Sequence, residues 1–174
     1  MEKPNYFLFT GAPGVGKTTL IAALRAAGEL CVDETHRAVI REHAARGFDI
    51  RADQGAYRDL CGRIDLAKYD AHLGETRPVF FDRGLPDSLA GDGLDPPWLA
   101  QAARSRRYNT CVLTPPPWAE IYVQDAERTQ DFDDAVRVHA RIRRNLTRLG
   151  YRPIDLPKGT VAERVAFVLD LALR

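Results

Sequence analysis

A glycine-rich stretch near the start of the chain has the residue types and spacing of a phosphate-binding loop. It reads GAPGVGKT from Gly11 to Thr18 and fits the pattern G-x-x-x-x-G-K-[ST] between an apolar run and a helical pattern. Glycines let backbone N–H groups turn inward around a phosphate, beside the positive end of a helix dipole. Lys17 would reach the β- and γ-phosphates, and the Thr18 hydroxyl would ligate Mg²⁺. The stretch predicts binding of Mg·ATP through Gly11, Ala12, Pro13, Gly14, Val15, Gly16, Lys17 and Thr18.

A second group of chemically active residues follows the apolar run PVFF. Asp82 ends this predicted strand and Arg83 comes directly after it. A second acid at position 83 would be typical of a motor-type ATPase, whereas an arginine beside a transferring phosphoryl group stabilises its charge. Asp82 is predicted either to hold Mg²⁺ through water or to accept the proton of an acceptor hydroxyl. The structural alternative is that Asp82 only caps the turn that follows.

A third acid, Glu34, closes the second predicted strand, and Arg37 follows one helical turn later. A carboxylate at this strand end can face a phosphoryl acceptor as a general base or as a ligand of its hydroxyl. The alternative is a local ion pair between Glu34 and Arg37, of modest energetic value. Asp33 could replace Glu34 in this role, since neighbouring strand residues point to opposite faces.

The segment after the fourth predicted strand is a candidate lid, at about residues 117–133. Such a segment can close over the phosphates and exclude water. Arg128 is its predicted catalytic cation, oriented by Asp125, and an exposed helix with an ion pair is the alternative. The next helix carries a row of arginines that indicates a solvated face more than a nucleic-acid surface: Arg137, Arg141, Arg144 and Arg148.

Strand and helix patterns alternate five times along the 174 residues. The apolar runs predict strands at 6–10, 30–34, 78–82, 110–114 and 152–155, and Asp53 and Thr160 are predicted helix caps. This order implies an α/β fold with a five-stranded parallel sheet between two layers of helices, with ligands at the carboxyl ends of the strands. One domain is expected, with an insertion at about 84–98 on the acceptor side.

Composition adds few constraints. The net charge of +1 and the 45% hydrophobic content are ordinary for a globular protein and give no push toward nucleic acid. No apolar run reaches the length of a membrane span. A cytoplasmic protein that acts without a membrane is expected, and its oligomeric state is left open.

Four motifs together, GAPGVGKTT, VDETHR, FFDRGLPD and IYVQDAERTQDF, give the chain a resemblance to a known family. It resembles the NadR-like AAA-domain family of short P-loop proteins, which includes a nicotinamide-riboside kinase domain, from Tyr6 to the last helix. The resemblance implies a P-loop NTPase fold of the kinase type with a lid segment.

The resemblance also implies roles for further residues. Thr19 would join the phosphate loop. The loop Pro157 to Thr160 matches the segment that packs against the adenine, with Pro157 and Lys158 as its predicted nucleotide-binding residues. Arg37 and Asp87 match the acid-and-arginine motifs of the acceptor side, while Arg128 matches the lid arginine.

The sequence thus predicts an ATP-dependent phosphotransferase acting on a small, nucleoside-like acceptor, with Glu34 or Asp82 as the base. Two alternatives remain open: a nucleotide-dependent switch that acts through partners, and a polynucleotide 5′-hydroxyl kinase. No [NT]-K-x-D motif for reading guanine is present, which counts against a GTPase.

Overall fold

A parallel five-stranded sheet forms the centre of the protein. The structure is a computed structural model that describes residues 1–121 and 132–173. Its strands lie in the order β2-β3-β1-β4-β5, and every pairing is parallel. Their bounds are β1 Tyr6–Phe9, β2 Leu30–Val32, β3 Val79–Asp82, β4 Cys111–Thr114 and β5 Arg152–Asp155.

Helices connect the strands and cover the sheet on both faces. Their bounds are α1 Lys17–Ala26, α2 Thr35–Ala45, α3 Gln54–Ala71, α4 Pro97–Ser105, α5 Phe132–Arg148 and α6 Val161–Ala172. Short 3₁₀ turns lie at Ile50–Ala52, Leu85–Ser88 and Ala119–Ile121. The α/β fold class predicted from the alternating patterns is confirmed.

The alternation of side chains along the central strands explains why both faces are covered. Tyr6 and Leu8 of β1 point into the core formed with α3, α4 and α5. Phe7 and Phe9 point into the opposite core, formed with α1 and α6. Because successive strand residues face opposite sides and all four are buried, the sheet needs helices on each face.

The topology brings the predicted functional residues to one edge of the sheet. β1 and β3 are neighbours, and Phe9 at the end of β1 pairs with Asp82 at the end of β3. The phosphate loop follows β1, and α2 follows β2 at the same edge. This carboxyl edge, where the chain crosses to the other side of β1, is where open parallel sheets bind ligands.

Local details differ from the sequence-based expectations in two places and agree with them at the helix caps. β2 ends at Val32, so Glu34 lies at the start of α2, not in the strand. The region after Asp87 contains the helix α4, which begins at a Pro-Pro pair that favours a first helical turn. Asp53 and Thr160 cap α3 and α6 as predicted. In the described part of the chain, no helix is both long enough and apolar enough to cross a membrane.

Candidate active site

The phosphate loop joins the end of β1 to the start of α1. Gly14 and Gly16 both have left-handed φ angles, 78° and 77°, which a residue with a side chain rarely adopts. Gly16 directly precedes the first turn of α1, so the free N–H groups of that helix open onto the loop. Thr18 and Thr19 are exposed and line the same cleft as the loop. This backbone fits a bound phosphate, as the sequence predicted.

Lys17 and Asp82 form a buried pair beside the loop. Lys17 Nζ lies 3.8 Å from Asp82 Oδ1, and both side chains are less than a tenth exposed. Burial lowers the pKa of Lys17, and Arg83 adds to this effect against the attraction of the nearby acids. Burial raises the pKa of Asp82, and Lys17 opposes that change. The pair is therefore desolvated but not joined by a direct hydrogen bond.

Asp82 also has an unused ligand position. Its Oδ1 atom is buried and has no hydrogen-bond partner in the described residues. No group of three or more His, Cys, Asp or Glu within those residues could hold a metal alone. Mg²⁺ typically takes one or two protein ligands together with substrate phosphates. The orphaned oxygen of Asp82 and the exposed Thr18 hydroxyl fit such a site.

Arg83 lines the cleft and ties three elements together, because each of its nitrogens donates to a protein group. Its Nε donates to Glu34 Oε1 at 2.9 Å, Nη1 donates to Asp87 Oδ1 at 3.0 Å, and Nη2 donates to the Gly11 carbonyl at 3.0 Å. Burial works to lower the pKa of Arg83, but Asp87, Glu34 and Asp82 outweigh it, so the pKa is raised. The guanidinium is thus a charged cross-link between the phosphate loop and the acceptor side.

The backbone of the D-R-G motif makes this cross-link possible. Arg83 has φ 66°, and no other non-glycine residue in the described chain has a positive φ. Its N–H donates to the Phe9 carbonyl at 2.8 Å, which continues the β1–β3 ladder past the strand end. At Gly84 a Cβ atom would come within 2.4 Å of the Tyr108 hydroxyl, so only glycine fits there.

Glu34 is held by two arginines. Besides the bond from Arg83, its Oε2 lies 3.8 Å from Arg37 Nε. Burial by itself raises the pKa of Glu34, but Arg83, Lys17 and Arg37 outweigh it, and the pKa is lowered. Glu34 thus forms the local ion pair with Arg37 and also lines the cleft, while its role toward a phosphoryl acceptor stays a prediction.

Protein groups occupy most of the hydrogen-bonding capacity of the Asp87 carboxylate. Its Oδ1 accepts hydrogen bonds from Arg83 and from the Thr10 hydroxyl, and its Oδ2 accepts from the Gly84 N–H at 3.1 Å. Its side chain is 5% exposed. The geometry fits a residue that positions Arg83 and the phosphate loop better than a direct ligand of the acceptor.

One cleft of about 1360 Å³ contains the phosphate loop and extends well beyond it. Beyond the loop, α2 and α3 line one part of the cleft and α5 lines another. Residues that line this half of the cleft include Glu34, His36, Arg37, Ile40, Arg41, Gln54, Tyr57, Asp87, Ser88, Leu89, Arg141, Ile142 and Asn145. The half therefore mixes apolar and aromatic surface with a few polar groups, as small-molecule sites do.

The acceptor-side insertion divides into two parts. The stretch from Pro86 to Ala90 and Asp92 line the cleft, and Arg58 of α3 anchors this loop through hydrogen bonds to Asp92 at 2.7 Å and Asp95 at 3.1 Å. Trp98 does not line the cleft, since its indole N–H donates to Asp59 on α3. Part of the insertion expected at about 84–98 therefore lines the cleft and its last part does not, while its role on the acceptor side stays a prediction.

Two residues of the predicted adenine segment do not line the cleft. Pro157 and Lys158 are exposed and do not line it, whereas Gly159 and Thr160, directly after them, do. Arg128 and most of the candidate lid lie outside the described residues. Arg141 lines the cleft, so it is not simply part of a solvated face with the other arginines of α5.

A buried arginine that the sequence analysis missed lies against the phosphate loop. Arg164 of α6 is 5% exposed, and its Nη2 donates to the Val15 carbonyl at 3.2 Å. Burial lowers its pKa, its Nε has no hydrogen-bond partner, and no carboxylate pairs with it within the described residues. The cation therefore braces the loop and adds positive charge where an anion is expected.

The fold and the glycine-rich loop together define a P-loop α/β domain. More specifically, the chain belongs to the AAA domain family, whose model matches residues 6–164. The resemblance to the NadR-like AAA-domain family is confirmed. No curated protein sequence matches the chain significantly.

Solved structures share the fold at low sequence identity. A NadR protein in complex with NR has a TM-score of 0.71 and 18% identity, over 97% of this chain and 50% of that chain. A NadR protein in complex with NAD and AMP-PNP has a TM-score of 0.60 and 16% identity, over 95% and 48%. Shikimate kinase from Acinetobacter baumannii, in complex with shikimate, has a TM-score of 0.55 and 18% identity, over 98% and 93%. The chain spans about half the length of the NadR chains that it matches.

Proposed function

We propose that this protein is a small-molecule kinase that transfers the γ-phosphoryl group of Mg·ATP to a hydroxyl of a small, nucleoside-like acceptor. The observation that carries the proposal is the cleft, which runs without a break from the phosphate loop into a second, walled compartment. A switch that only hydrolyses its nucleotide has no need of that compartment. Neighbours of the same fold bind small molecules, NR in one case and shikimate in another. We expect the reaction to take place in the cytoplasm, where ATP is available.

The phosphate side of the reaction would use the loop and its cations. Loop N–H groups and Lys17 would hold the phosphates and offset the charge that spreads over the transferred group. Thr18 and the free Oδ1 of Asp82 would hold Mg²⁺, the latter through water. The metal would supply charge neutralisation and alignment of the β- and γ-phosphates.

The acceptor side would use Glu34. Because its carboxylate is ionised and fixed by Arg83 and Arg37, it is placed to accept a hydrogen bond from the acceptor hydroxyl. Its lowered pKa makes it a weak base. In a loose transition state, however, the hydroxyl becomes strongly acidic only as the new P–O bond forms, so a weak base is sufficient. Asp82 is the alternative proton acceptor.

Transfer of label tests the proposal directly. The purified chain would be incubated with Mg²⁺, γ-labelled ATP and a fractionated extract of small metabolites. Label on an organic acceptor is the expected result, and mass analysis then identifies the acceptor. Asp82→Asn is expected to abolish the transfer while binding of AMP-PNP persists. Label found only in free phosphate, at one rate with or without extract, would favour the switch instead.

A further inference from the structure

Four side chains form a hydrogen-bonded row from the cleft wall into the core. Tyr57 of α3 lines the cleft, and its hydroxyl lies 3.0 Å from His36 Nδ1. His36 Nε2 lies 3.2 Å from Ser88 Oγ, and Ser88 Oγ lies 3.4 Å from Asp65 Oδ2. Asp65 is 3% exposed and Ser88 is 2% exposed. The phosphoryl-transfer steps above use none of the four.

The buried end of this row is fixed by a lysine. Lys68 Nζ, which can only donate, donates to Thr35 Oγ1 at 2.9 Å. The Thr35 hydroxyl therefore uses its single proton to donate to Asp65 Oδ1. Oδ1 is thereby kept as an acceptor. A proton that binds Asp65 must go to Oδ2, the oxygen that faces Ser88.

The protons of the row can be arranged in two ways only. When Asp65 is ionised, Ser88 donates to it, His36 Nε2–H donates to Ser88, and the Tyr57 hydroxyl donates to the bare Nδ1. When Oδ2 is protonated, every bond reverses, because each hydroxyl and the neutral imidazole has one proton to give. In the first arrangement the Tyr57 oxygen can only accept a hydrogen bond from a group in the cleft. In the second, its proton is released from His36 and can be donated to a group in the cleft or to the Cys61 sulfur.

We propose that Tyr57 is a specificity-determining residue for the acceptor, and that the protonation state of Asp65, relayed through Ser88 and His36, decides whether its hydroxyl accepts or donates a hydrogen bond in the cleft. With Asp65 ionised, the preferred ligand presents an O–H or N–H donor to Tyr57. The assignment of this half of the cleft to the acceptor rests on the proposed function, whereas the relay does not.

The surroundings of Asp65 support a change in its protonation state near neutral pH. Burial raises its pKa to about 7, with help from the charge of Asp87 and against the hydrogen bonds of Thr35 and Ser88 and the charge of Lys68. The other titratable groups that interact with it are Cys61 on α3 and Tyr108 before β4.

His36 can relay this change without becoming charged. Burial and the nearby charge of Arg83 lower its pKa to about 4, against the attraction of Asp87 and Glu34. The Cys61 thiol is the remaining partner of the Tyr57 hydroxyl. Since His36 stays neutral while Asp65 titrates, only its tautomer can change.

Nitrogen-15 NMR of the histidine-labelled full chain, without nucleotide or acceptor, tests the relay. His36→Asn would identify the His36 signals among the four histidines. Well above the Asp65 pKa, the His36 proton is expected on Nε2; well below it, on Nδ1, with the ring neutral throughout. Asp65→Asn and Ser88→Ala should each remove this exchange of tautomers. Asp70→Asn, the same change elsewhere on α3, should leave it intact.

A single His36 tautomer at all pH values, or conversion to the imidazolium over that range, would overturn the relay. Persistence of the exchange in Asp65→Asn would do the same. This result stands whether or not the protein transfers phosphoryl groups, so its failure is distinct from failure of the kinase assay.

Tyr57→Phe tests the specificity role in the labelled-ATP assay with serial dilutions of the metabolite extract. We expect about a tenfold lower initial rate in dilute extract, the cost of one hydrogen bond, and equal rates at high concentration. AMP-PNP binding should not change. Equal rates of the wild-type and variant proteins at every dilution would remove Tyr57 from acceptor recognition.

Discussion

Arg83 Nε donates to Glu34 Oε1 at 2.9 Å, and the other end of the same guanidinium donates to the Gly11 carbonyl of the phosphate loop. The arginine of the D-R-G motif is therefore a positioning residue, because its donors are turned to protein groups. Its φ of 66° lies in a region that costs a side-chain-bearing residue roughly 1–3 kcal/mol, which these hydrogen bonds offset.

Arg83→Lys should separate the phosphate loop from Glu34. An ammonium group is a point charge and cannot reach Glu34, Asp87 and Gly11 in the fork geometry of arginine. We expect kcat/KM for the acceptor to fall by about 10²-fold, since misplaced groups lose that much in oriented reactions. Arg46→Lys, in an exposed ion pair with Glu42, is the matched control and should behave as wild type. Unchanged kinetics of Arg83→Lys would show that the cross-link has no role in turnover.

Glu34→Gln should lower kcat by about 10²-fold or more, the usual contribution of a proton acceptor, with little change in AMP-PNP binding. Because the pKa of Glu34 is lowered in the folded protein, the carboxylate stays ionised as the pH falls below the usual range for glutamate. The wild-type kcat should therefore not decrease with falling pH at or above the usual pH range for glutamate ionisation. A decrease of kcat close to neutral pH that is also present in Glu34→Gln would instead mean that another group accepts the proton.

Gly16→Ala should damage the loop without unfolding the domain. The φ of 77° disfavours alanine, and its Cβ would lie 2.9 Å from Arg164 Nη1. We expect ATP to bind at least about tenfold more weakly, as measured by calorimetry. Gly28→Ala carries the same backbone strain, at φ 91°, with no atom within 4 Å of its Cβ. If both variants bind ATP equally, the contact with Arg164 is irrelevant.

Gly62→Ala tests the packing of α4 on α3. A Cβ there would lie 2.6 Å from Leu99 Cδ1, and Leu99 is fully buried. Overpacking costs typically about 1–3 kcal/mol, more than the roughly 1 kcal/mol that alanine gains over glycine within a helix. The free energy of unfolding should therefore fall by about 1 kcal/mol in a denaturant titration. A more stable variant would mean that Leu99 moves freely.

Asp65 should make stability depend on pH. Its folded pKa of about 7 lies above the ordinary aspartate value of 3.8, so its contribution to stability is present at low pH and is lost as the pH rises through about 7. Asp65→Asn removes that loss, and its melting temperature should gain on that of wild type as the pH increases. The melting temperature of Asp70→Asn should change with pH in the same way as that of wild type. If the melting temperatures of Asp65→Asn and wild type differed by the same amount at every pH, the raised pKa of Asp65 would be contradicted.

Local patterns predicted the phosphate loop, the five strands and the caps at Asp53 and Thr160, because each depends on residues close together in the chain. Arg164 could not be predicted, since it lies 149 positions from the Val15 carbonyl that it contacts. The proposed relay could not be predicted from the sequence either. His36, Tyr57, Asp65 and Ser88 have no characteristic spacing, and only the packing of α2, α3 and the turn after β3 brings them together.

The role of Arg83 was predicted in part. The acid–arginine order at a strand end indicated phosphoryl transfer, but the direction of the side chain depends on its left-handed backbone. No propensity predicts that conformation for arginine. The same applies to Asp87, whose oxygens are turned to Thr10 and Gly84 by the 3₁₀ turn that follows Gly84.

The single guanidinium between Gly11 and Glu34 connects the two halves of the cleft, so a phosphate in the loop and a ligand beside Glu34 would be thermodynamically linked. A bound phosphate that drew the loop inward would change the bond from Arg83 to the Gly11 carbonyl and, through the same cation, the position of Glu34. Linkage of this kind is reciprocal: the factor by which nucleotide strengthens binding of the acceptor equals the factor by which the acceptor strengthens binding of nucleotide. Under the proposed function, each substrate would therefore favour binding of the other without any direct contact between them.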